Sequence, residues 1–472
     1  MRFLVPADFG VVALGAAFVS AVEALVFIGV EEALVRQKAP TRAHYDTGFT
    51  LNVIRGVSLS LVLAGLALPA GGFFGEPRMS EVLFVLALAT FLNAFTNIGL
   101  VEFRRDFAFH REFVALIVPR LIGMILMVGC AVVLRSYRAL MVGILSQCIA
   151  TVAIGYVLHP YRPRFSLAAW GDLAGYSMWN WITALATLVR ERSNAFMLGH
   201  VMGAAQVGVY AMGSDVALLP STELIGPFSR AAFSGFSAAR NEGDSSARTF
   251  LQMIGGVMML SLPAGFGLSL LAHPLVALAF GPLWMDAVPV VQVLGAAGAL
   301  SVFSYLSGTF LNAHALLRTV LAITVAAAAL RVGLLLLLLV VWPWGLTSSA
   351  ISVAASVLLG DVLCTAVMRH RFGVTLGMLA TRLWRSFAAT VVMTACLFAA
   401  GLGGRPFAGD AMVQAWHLAG GVLVGAASYT ASLLAFWLLA GRPDGGETHV
   451  LRMTGTILTQ AGARLRPRLR RS

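Results

Sequence analysis

The sequence predicts an all-α integral membrane protein of about 13 transmembrane helices, in two pseudosymmetric bundles with an additional C-terminal helix pair. Apolar residues make up 59% of the 472 residues, charged residues only 11%, and the mean hydropathy is +0.85. Soluble domains carry about 25% charged residues, so this chain could not cover its own surface in water. Apolar runs of about 20 residues recur, each long enough to cross a hydrocarbon core of roughly 30 Å. In lipid such runs form helices, because the backbone must satisfy its own hydrogen bonds.

The predicted helices follow one another along the whole chain. They lie at residues 9–30, 48–70, 82–100, 113–134, 139–158, 173–198, 207–233, 249–272, 288–312, 319–341, 346–368, 385–402 and 414–439. An odd number of spans places the two termini on opposite sides of the membrane.

The basic residues predict the orientation of the chain. With the C-terminus in the cytoplasm, 23 Lys and Arg residues fall on the cytoplasmic side, 5 fall outside, and 5 lie within the spans. Such a bias sets the topology of multi-span proteins, so we expect a cytoplasmic C-terminus. The same bias accounts for the net charge of +12. Nucleic acid, the usual partner of a strongly basic soluble chain, is therefore not expected here.

An internal repeat relates two parts of the chain. Residues 7–15 (ADFGVVALG) align with residues 205–213 (AQVGVYAMG) at an offset of 198, with five of nine positions identical. The second copy follows the predicted helix 173–198, whereas the first copy has no helix before it. We therefore expect the ancestral plan to include one more helix before Met1.

The repeat divides the chain into two helix bundles that meet around a midplane site, an arrangement typical of transporters. The predicted parts are an N-terminal bundle at 1–158 without its first helix, a cytoplasmic linker at 159–172, a C-terminal bundle at 173–370, the helix pair at 371–441 and a basic cytoplasmic tail at 442–472.

Polar residues inside the spans are candidates for a functional site, because charge at the bilayer centre costs about 3 kcal/mol. The span 173–198 carries a polar stripe at +3 and +4 spacing, which falls on one helix face. Arg192 flanks this stripe, whose members are Asn180, Thr183, Thr187, Arg190 and Asn194. The stripe either lines a hydrophilic cavity or bonds to neighbouring helices, and five positions in phase favour the cavity.

Each of the other charged residues in the spans has two possible roles. Arg331 lies halfway through an apolar span and either contacts ligand or pairs with Asp361 of the next span. Glu23 and Arg55 lie level on consecutive antiparallel helices, which favours a structural ion pair. Arg120 lies at similar depth and either joins the cavity or extends to the interface.

Acidic residues in the spans are candidate sites for a coupling proton or sodium ion. Asp215 and Glu223 bracket Pro220, which can kink its helix. Asp361 and Glu23 are the other two candidates.

No motif for catalysis or metal binding is present. The sequence has no G-x-x-x-x-G-K-[ST] loop and no H-E-x-x-H motif. The four cysteines lack metal-ligand spacing. We therefore expect no catalytic residue, metal or cofactor.

Four segments resemble Wzx-type polysaccharide flippases of the multidrug/oligosaccharidyl-lipid/polysaccharide exporter superfamily. They are Leu4–Gly10, the stretch from Leu198–His200 to Gly208–Tyr210, Leu218–Pro220 and Phe280–Trp284. The resemblance runs along essentially the whole chain and implies 12 to 14 helices in two bundles around a cavity. In relatives the first helix helps to line that cavity.

The resemblance implies translocation of undecaprenyl-diphosphate-linked oligosaccharide across the bacterial inner membrane, for exopolysaccharide, capsule or O-antigen (lipopolysaccharide) synthesis. No bond is broken, so the chain would not be an enzyme. Its partners would be the lipid-linked oligosaccharide, membrane lipids and other polysaccharide-assembly membrane proteins. The expected cavity consists of the stripe with Arg55, Arg120, Arg192 and Arg331, because arginines bind phosphate strongly.

Three alternatives remain open at this point. A drug or metabolite exporter of the same superfamily would share the scaffold. A membrane glycosyltransferase or polymerase would normally carry a large outer loop, which this sequence lacks. A non-transporting scaffold would follow if the first helix is truly missing.

Overall fold

The described part of the chain is built from long helices. The computed structural model describes residues 4–26, 34, 40–105, 108–173, 178–239, 244–340, 345–404 and 410–442. Within these residues the helices of 16 or more residues are α1 (Pro6–Leu25), α2 (Arg42–Phe74), α3 (Arg78–Asn93), α4 (Phe109–Leu134), α5 (Arg138–Leu158), α6 (Met178–Met202), α7 (Ala204–Ala239), α8 (Asp244–Leu270), α9 (Val288–Ala313), α10 (Leu317–Val340), α11 (Leu346–Phe372), α12 (Leu376–Ala399) and α13 (Ala411–Leu439). Shorter helical segments are Ile98–Leu100, Val101–Arg105, Trp170–Leu173, Ala272–Ala279 and Pro282–Ala287.

Each predicted span overlaps one of these helices within the described residues. Nine segments of the described chain are long and apolar enough to cross a membrane. They include α1, α2, α4, α5 and α9, whereas α6 is interrupted by Arg190, Glu191 and Arg192. The all-α, multi-pass class is thus confirmed, and the count of 13 spans stays a prediction.

Local sequence sets where the first two helices begin and end. Pro6 opens α1, where its fixed φ suits the first turn and its missing N–H is not needed. Asp8 accepts a hydrogen bond from the Val5 amide at 3.4 Å and so caps this helix. α2 ends at Gly75, whose left-handed φ of 63° is cheap only for glycine.

The chain forms two compact units. The first contains Met1–Met212 and Val332–Ser349, and the second contains Gly213–Arg331 and Ala350–Ser472. The sequence placed α6 at the start of the C-terminal bundle, but here α6 packs on α1 within the first unit. The boundaries at 158 and 173 therefore stay a prediction about the repeat and do not coincide with these units.

The two copies of the repeat cross each other within the first unit. A Cβ at Gly10 would overlap the carbonyl oxygen of Ala204, and a Cβ at Gly208 would overlap that of Pro6. Gly10 corresponds to Gly208, and Pro6 corresponds to Ala204, at the repeat offset of 198. The two contacts are therefore equivalent, and the crossing is symmetric. α1 and α7 approach this closely only because both positions are glycine.

The linker after α5 runs along the first turns of α2. Asp46 accepts hydrogen bonds from the Tyr161 hydroxyl and from the backbone N–H of residue 164. Thr50 accepts from the Ser166 amide at 2.9 Å, and Thr47 accepts from the amide of residue 169 at 3.1 Å. Burial and the Asp46 carboxylate raise the pKa of Tyr161, so its hydroxyl stays protonated and donates.

An ionic network joins α1 to the turn between α2 and α3. The guanidinium of Arg78 donates to both carboxylate oxygens of Glu76, at 2.8 and 2.9 Å. It also donates to Asp8 at 3.1 Å. Tyr137, at the start of α5, lies under this guanidinium and donates to Glu81 at 2.7 Å. Charge-assisted bonds of this kind fix the relative positions of α1, α3 and α5.

The core of the second unit centres on aromatic side chains of α7, α8 and α9. Phe310 is fully buried and meets Phe236, Phe250 and Phe372 with ring centroids 4.8 to 5.3 Å apart. These edge-on and tilted contacts bury large apolar areas and hold α9 in place, which positions the polar face described below.

Candidate functional site

The polar stripe of α6 has two different environments. Thr183, Thr187 and Arg190 are half-buried, and Arg190 donates to the neighbouring Glu191 at 3.1 Å. Asn194 is only 1% exposed and donates a hydrogen bond to the Tyr210 hydroxyl of α7. The stripe therefore packs against protein at Asn194 and is more open toward Arg190. Asn180 lies outside the described side chains.

Three charged side chains from three helices interact in the first unit. The carboxylate of Glu23 on α1 interacts electrostatically with the guanidiniums of Arg55 on α2 and Arg192 on α6. Arg192 and Glu23 are exposed, whereas the buried Nε of Arg55 has no hydrogen-bond partner in the described part of the chain. We call Glu23, Arg55 and Arg192 the charged cluster. It carries one net positive charge and can therefore attract an anion.

The pairing of Arg331 with Asp361 stays a prediction, and the described residues show a different contact for this carboxylate. Oδ1 of Asp361 accepts a hydrogen bond from the backbone N–H of Ser304 on α9, at 3.0 Å. Gly360, beside Asp361, lies against the same serine. Arg331 is buried at 6% exposure on α10. A backbone donor therefore satisfies one oxygen of the Asp361 carboxylate.

The remaining candidates are spread over other helices. Arg120 is exposed on α4, whose other exposed residues include Phe113, Ile125 and Val133. This placement favours a side chain that extends to the membrane interface over a cavity role. Asp215 is exposed on α7, and Glu223 lies outside the described side chains.

Sequence reasoning missed a polar face on α9. Its members are Ser301, Ser304, Tyr305, Thr309 and Asn312. Their spacing of i, i+3, i+4, i+8 and i+11 places them on one helix face. A count of polar residues at helical spacing, as used for the stripe of α6, would have found this face. It was missed because serine and tyrosine barely lower the hydropathy of a span and so do not draw attention to it. No group of three or more His, Cys, Asp or Glu side chains that could hold a metal occurs within the described residues.

The sequence is similar to proteins of surface-polysaccharide synthesis. Residues 1–289 match the family described as "Polysaccharide biosynthesis protein". The chain is 22% identical over 322 residues to the lipopolysaccharide biosynthesis protein WzxC of Escherichia coli K12, covering 65% of this chain and 63% of that protein. It is 23% identical over 295 residues to the succinoglycan biosynthesis transport protein ExoT of Rhizobium meliloti, covering 62% and 60%. The match spans less than two thirds of either relative.

The fold is similar to that of two solved transporters. The lipid II flippase MurJ, in an inward closed conformation, matches with a TM-score of 0.68 at 11% identity over 93% of this chain and 94% of that one. An inward-facing multidrug resistance transporter of the MATE family and MOP superfamily matches with a TM-score of 0.63 at 18% identity, covering 78% and 91%. At these identities the likeness concerns the fold alone.

Proposed function

The chain belongs to the polysaccharide biosynthesis protein family, and on that premise we propose that it translocates polyprenyl-diphosphate-linked oligosaccharide. The proposed movement is from the cytoplasmic to the outer leaflet of the bacterial inner membrane. No covalent bond changes in such a step, so the proposed activity is transport and not catalysis. Relatives named for lipopolysaccharide synthesis and succinoglycan transport support this class of substrate.

The observation that carries the proposal is the charged cluster. A lipid-linked diphosphate is anionic, and guanidinium groups bind phosphate through short, often bidentate hydrogen bonds. Arg55 and Arg192 approach Glu23 from different helices, so together they exceed its charge. Charged side chains are costly on the helices of a membrane protein, which supports a role in ligand binding beyond packing.

A drug exporter of the same superfamily, which would share this fold, is the second candidate. Such an exporter would move dyes or drugs in intact cells without any effect on polysaccharide. Dye efflux and glycan export therefore separate the two candidates.

Deletion of the gene followed by complementation tests the proposal. Deletion should abolish the surface polysaccharide and leave its lipid-linked precursor in the cytoplasmic leaflet. Complementation with Arg192→Ala or Arg55→Ala should fail at normal membrane levels of protein, and Lys in place of Ala should restore export only in part, because Lys loses the planar fork. Arg120→Ala, on the apolar surface of α4, is the matched control and should complement. Normal polysaccharide in the deletion strain, with lost dye efflux, would instead establish the exporter.

A further inference from the structure

Helix α9 exposes only polar side chains. Between Val288 and Ala313 the exposed residues are Tyr305 and Asn312, and Tyr305 is 51% exposed. They lie seven residues apart, which is about two turns, on one face of the helix. Ser301, Ser304 and Thr309 share that face, while the opposite side of α9 is packed into the aromatic core.

A face of this kind does not suit lipid. The lipid-type surface of α4 shows the contrast, because there the exposed residues include Phe113, Leu126 and Val133. On α9 the Tyr305 hydroxyl and the Asn312 amide make no hydrogen bond to the described part of the chain. Polar groups without partners cost several kcal/mol in hydrocarbon. We therefore expect the Tyr305 hydroxyl, about two turns inside the helix, to face water or a polar ligand, together with Asn312 at the helix end.

The chemistry of the face selects a neutral, hydroxyl-rich ligand. The hydroxyl protons of Ser301, Ser304 and Thr309 bond back to carbonyl oxygens of α9, at 2.8 to 3.1 Å. Their oxygens remain able to accept, while Asn312 and Tyr305 can both donate and accept. The face carries no positive charge, so it offers no charged group to bind a diphosphate.

We infer that this face of α9 binds the sugar headgroup of the lipid-linked oligosaccharide. The Tyr305 ring offers an apolar surface to the C–H side of a pyranose, and Asn312 and Thr309 hydrogen-bond to its hydroxyls. The inference rests on the proposed function but assigns the glycan to residues outside the charged cluster.

Thiol labelling tests whether this face is accessible to water and whether bound oligosaccharide protects it. Tyr305→Cys and Asn312→Cys are made after the four native cysteines are replaced. Both should react with a membrane-impermeant maleimide in open membranes, and Leu126→Cys on α4 should not. Lipid-linked oligosaccharide purified from a polymerase-deficient strain should protect both cysteines, whereas undecaprenyl diphosphate should not. Unreactive cysteines, or equal protection by both lipids, would overturn the inference.

Transport in proteoliposomes tests the role of the side chains. Tyr305→Ala and Asn312→Leu should slow translocation of the oligosaccharide lipid by about tenfold, the loss expected for one or two hydrogen bonds and a ring contact. Tyr305→Phe should retain most of the rate, because the ring remains. Translocation of undecaprenyl diphosphate should be unchanged in all three, and Phe113→Ala is the matched control on α4. An equal loss for both lipids would overturn the inference, whereas no translocation of either lipid by the wild type would refute the proposed function.

Discussion

At the scale of single residues, the ion pair between Glu76 and Arg78 has a measurable consequence for stability. The Arg78 guanidinium holds the pKa of Glu76 below its ordinary value of 4.5, mainly through the hydrogen bonds to the carboxylate. Glu76 lies in the turn before α3, where water and buffer protons reach it. A carboxylate whose pKa is lowered by folding adds stability when ionised and loses that contribution once protonated.

We therefore expect an acid-sensitive contribution from this pair. The stabilisation should be complete above about pH 4.5 and should disappear as the pH falls through the lowered pKa of Glu76. Thermal unfolding of the detergent-solubilised protein across this pH range measures the effect. Glu76→Gln should lower the Tm at neutral pH and flatten the acid side of the profile. Asp286→Asn, at an exposed carboxyl, is the control and should leave the profile unchanged.

Counting residues from a loop places two side chains at one depth where their helices are consecutive. Glu23 and Arg55 lie on such helices and interact electrostatically, while the ion pair itself stays a prediction. The same count could not find the partner of Asp361. That partner is a backbone N–H on α9, and no side-chain pattern records a backbone donor on a helix that is not adjacent in sequence.

At the scale of elements, hydropathy located the helices but not all of their ends. The span predicted at 48–70 is the helix Arg42–Phe74. Its first turns carry Asp46, Thr47 and Thr50, which are polar and yet buried because the linker after α5 covers them. Hydropathy left Asp46 and Thr47 outside the predicted span, since it cannot know that another segment of the chain will satisfy them.

The crossing of α1 and α7 makes a prediction about paired substitutions. Gly10→Ala and Gly208→Ala should each force the helices apart and cost about 1–3 kcal/mol, as overpacking does. Because both alanines open the same crossing, the double variant should cost less than the sum of the singles. Gly65→Ala has open space around its Cβ, so it should be neutral or stabilising through helix propensity. Thermal unfolding of the four variants measures this, and strictly additive losses would contradict a shared contact.

At the scale of the whole molecule, the distribution of basic residues predicts the orientation in the membrane. With 23 Lys and Arg residues assigned inside and 5 outside, the C-terminus should lie in the cytoplasm. Alkaline phosphatase fused after Ser472, which is active only outside the cytoplasm, should be inactive, and a cytoplasmic fluorescent protein at the same position should fluoresce. An active phosphatase would reverse the assignment of every loop.

The fold class followed from composition, because so few charged residues leave only a membrane protein. The polar helix faces could be predicted from the sequence only in part. The stripe of α6 stood out because it contains arginine, whereas the face of α9 relies on Ser304, Tyr305 and Asn312, whose hydropathy is unremarkable within an apolar span. Only the exposure of Tyr305 and Asn312 in the folded chain separates that face from ordinary packing.

The reciprocal glycine contact also bears on how such a chain arises. In a two-fold homodimer an isologous interface places residue i of one subunit against residue j of the other, and j against i. Gly10 against residue 204 and Gly208 against residue 6 keep that relation within one polypeptide, as gene duplication and fusion would leave it. After fusion the two copies can diverge in sequence. One such difference is Asp8, which is bonded to Arg78 and corresponds to Gln206 in the second copy. The crossing itself retains glycine in both copies, because neither helix could accept a side chain there without displacing the other.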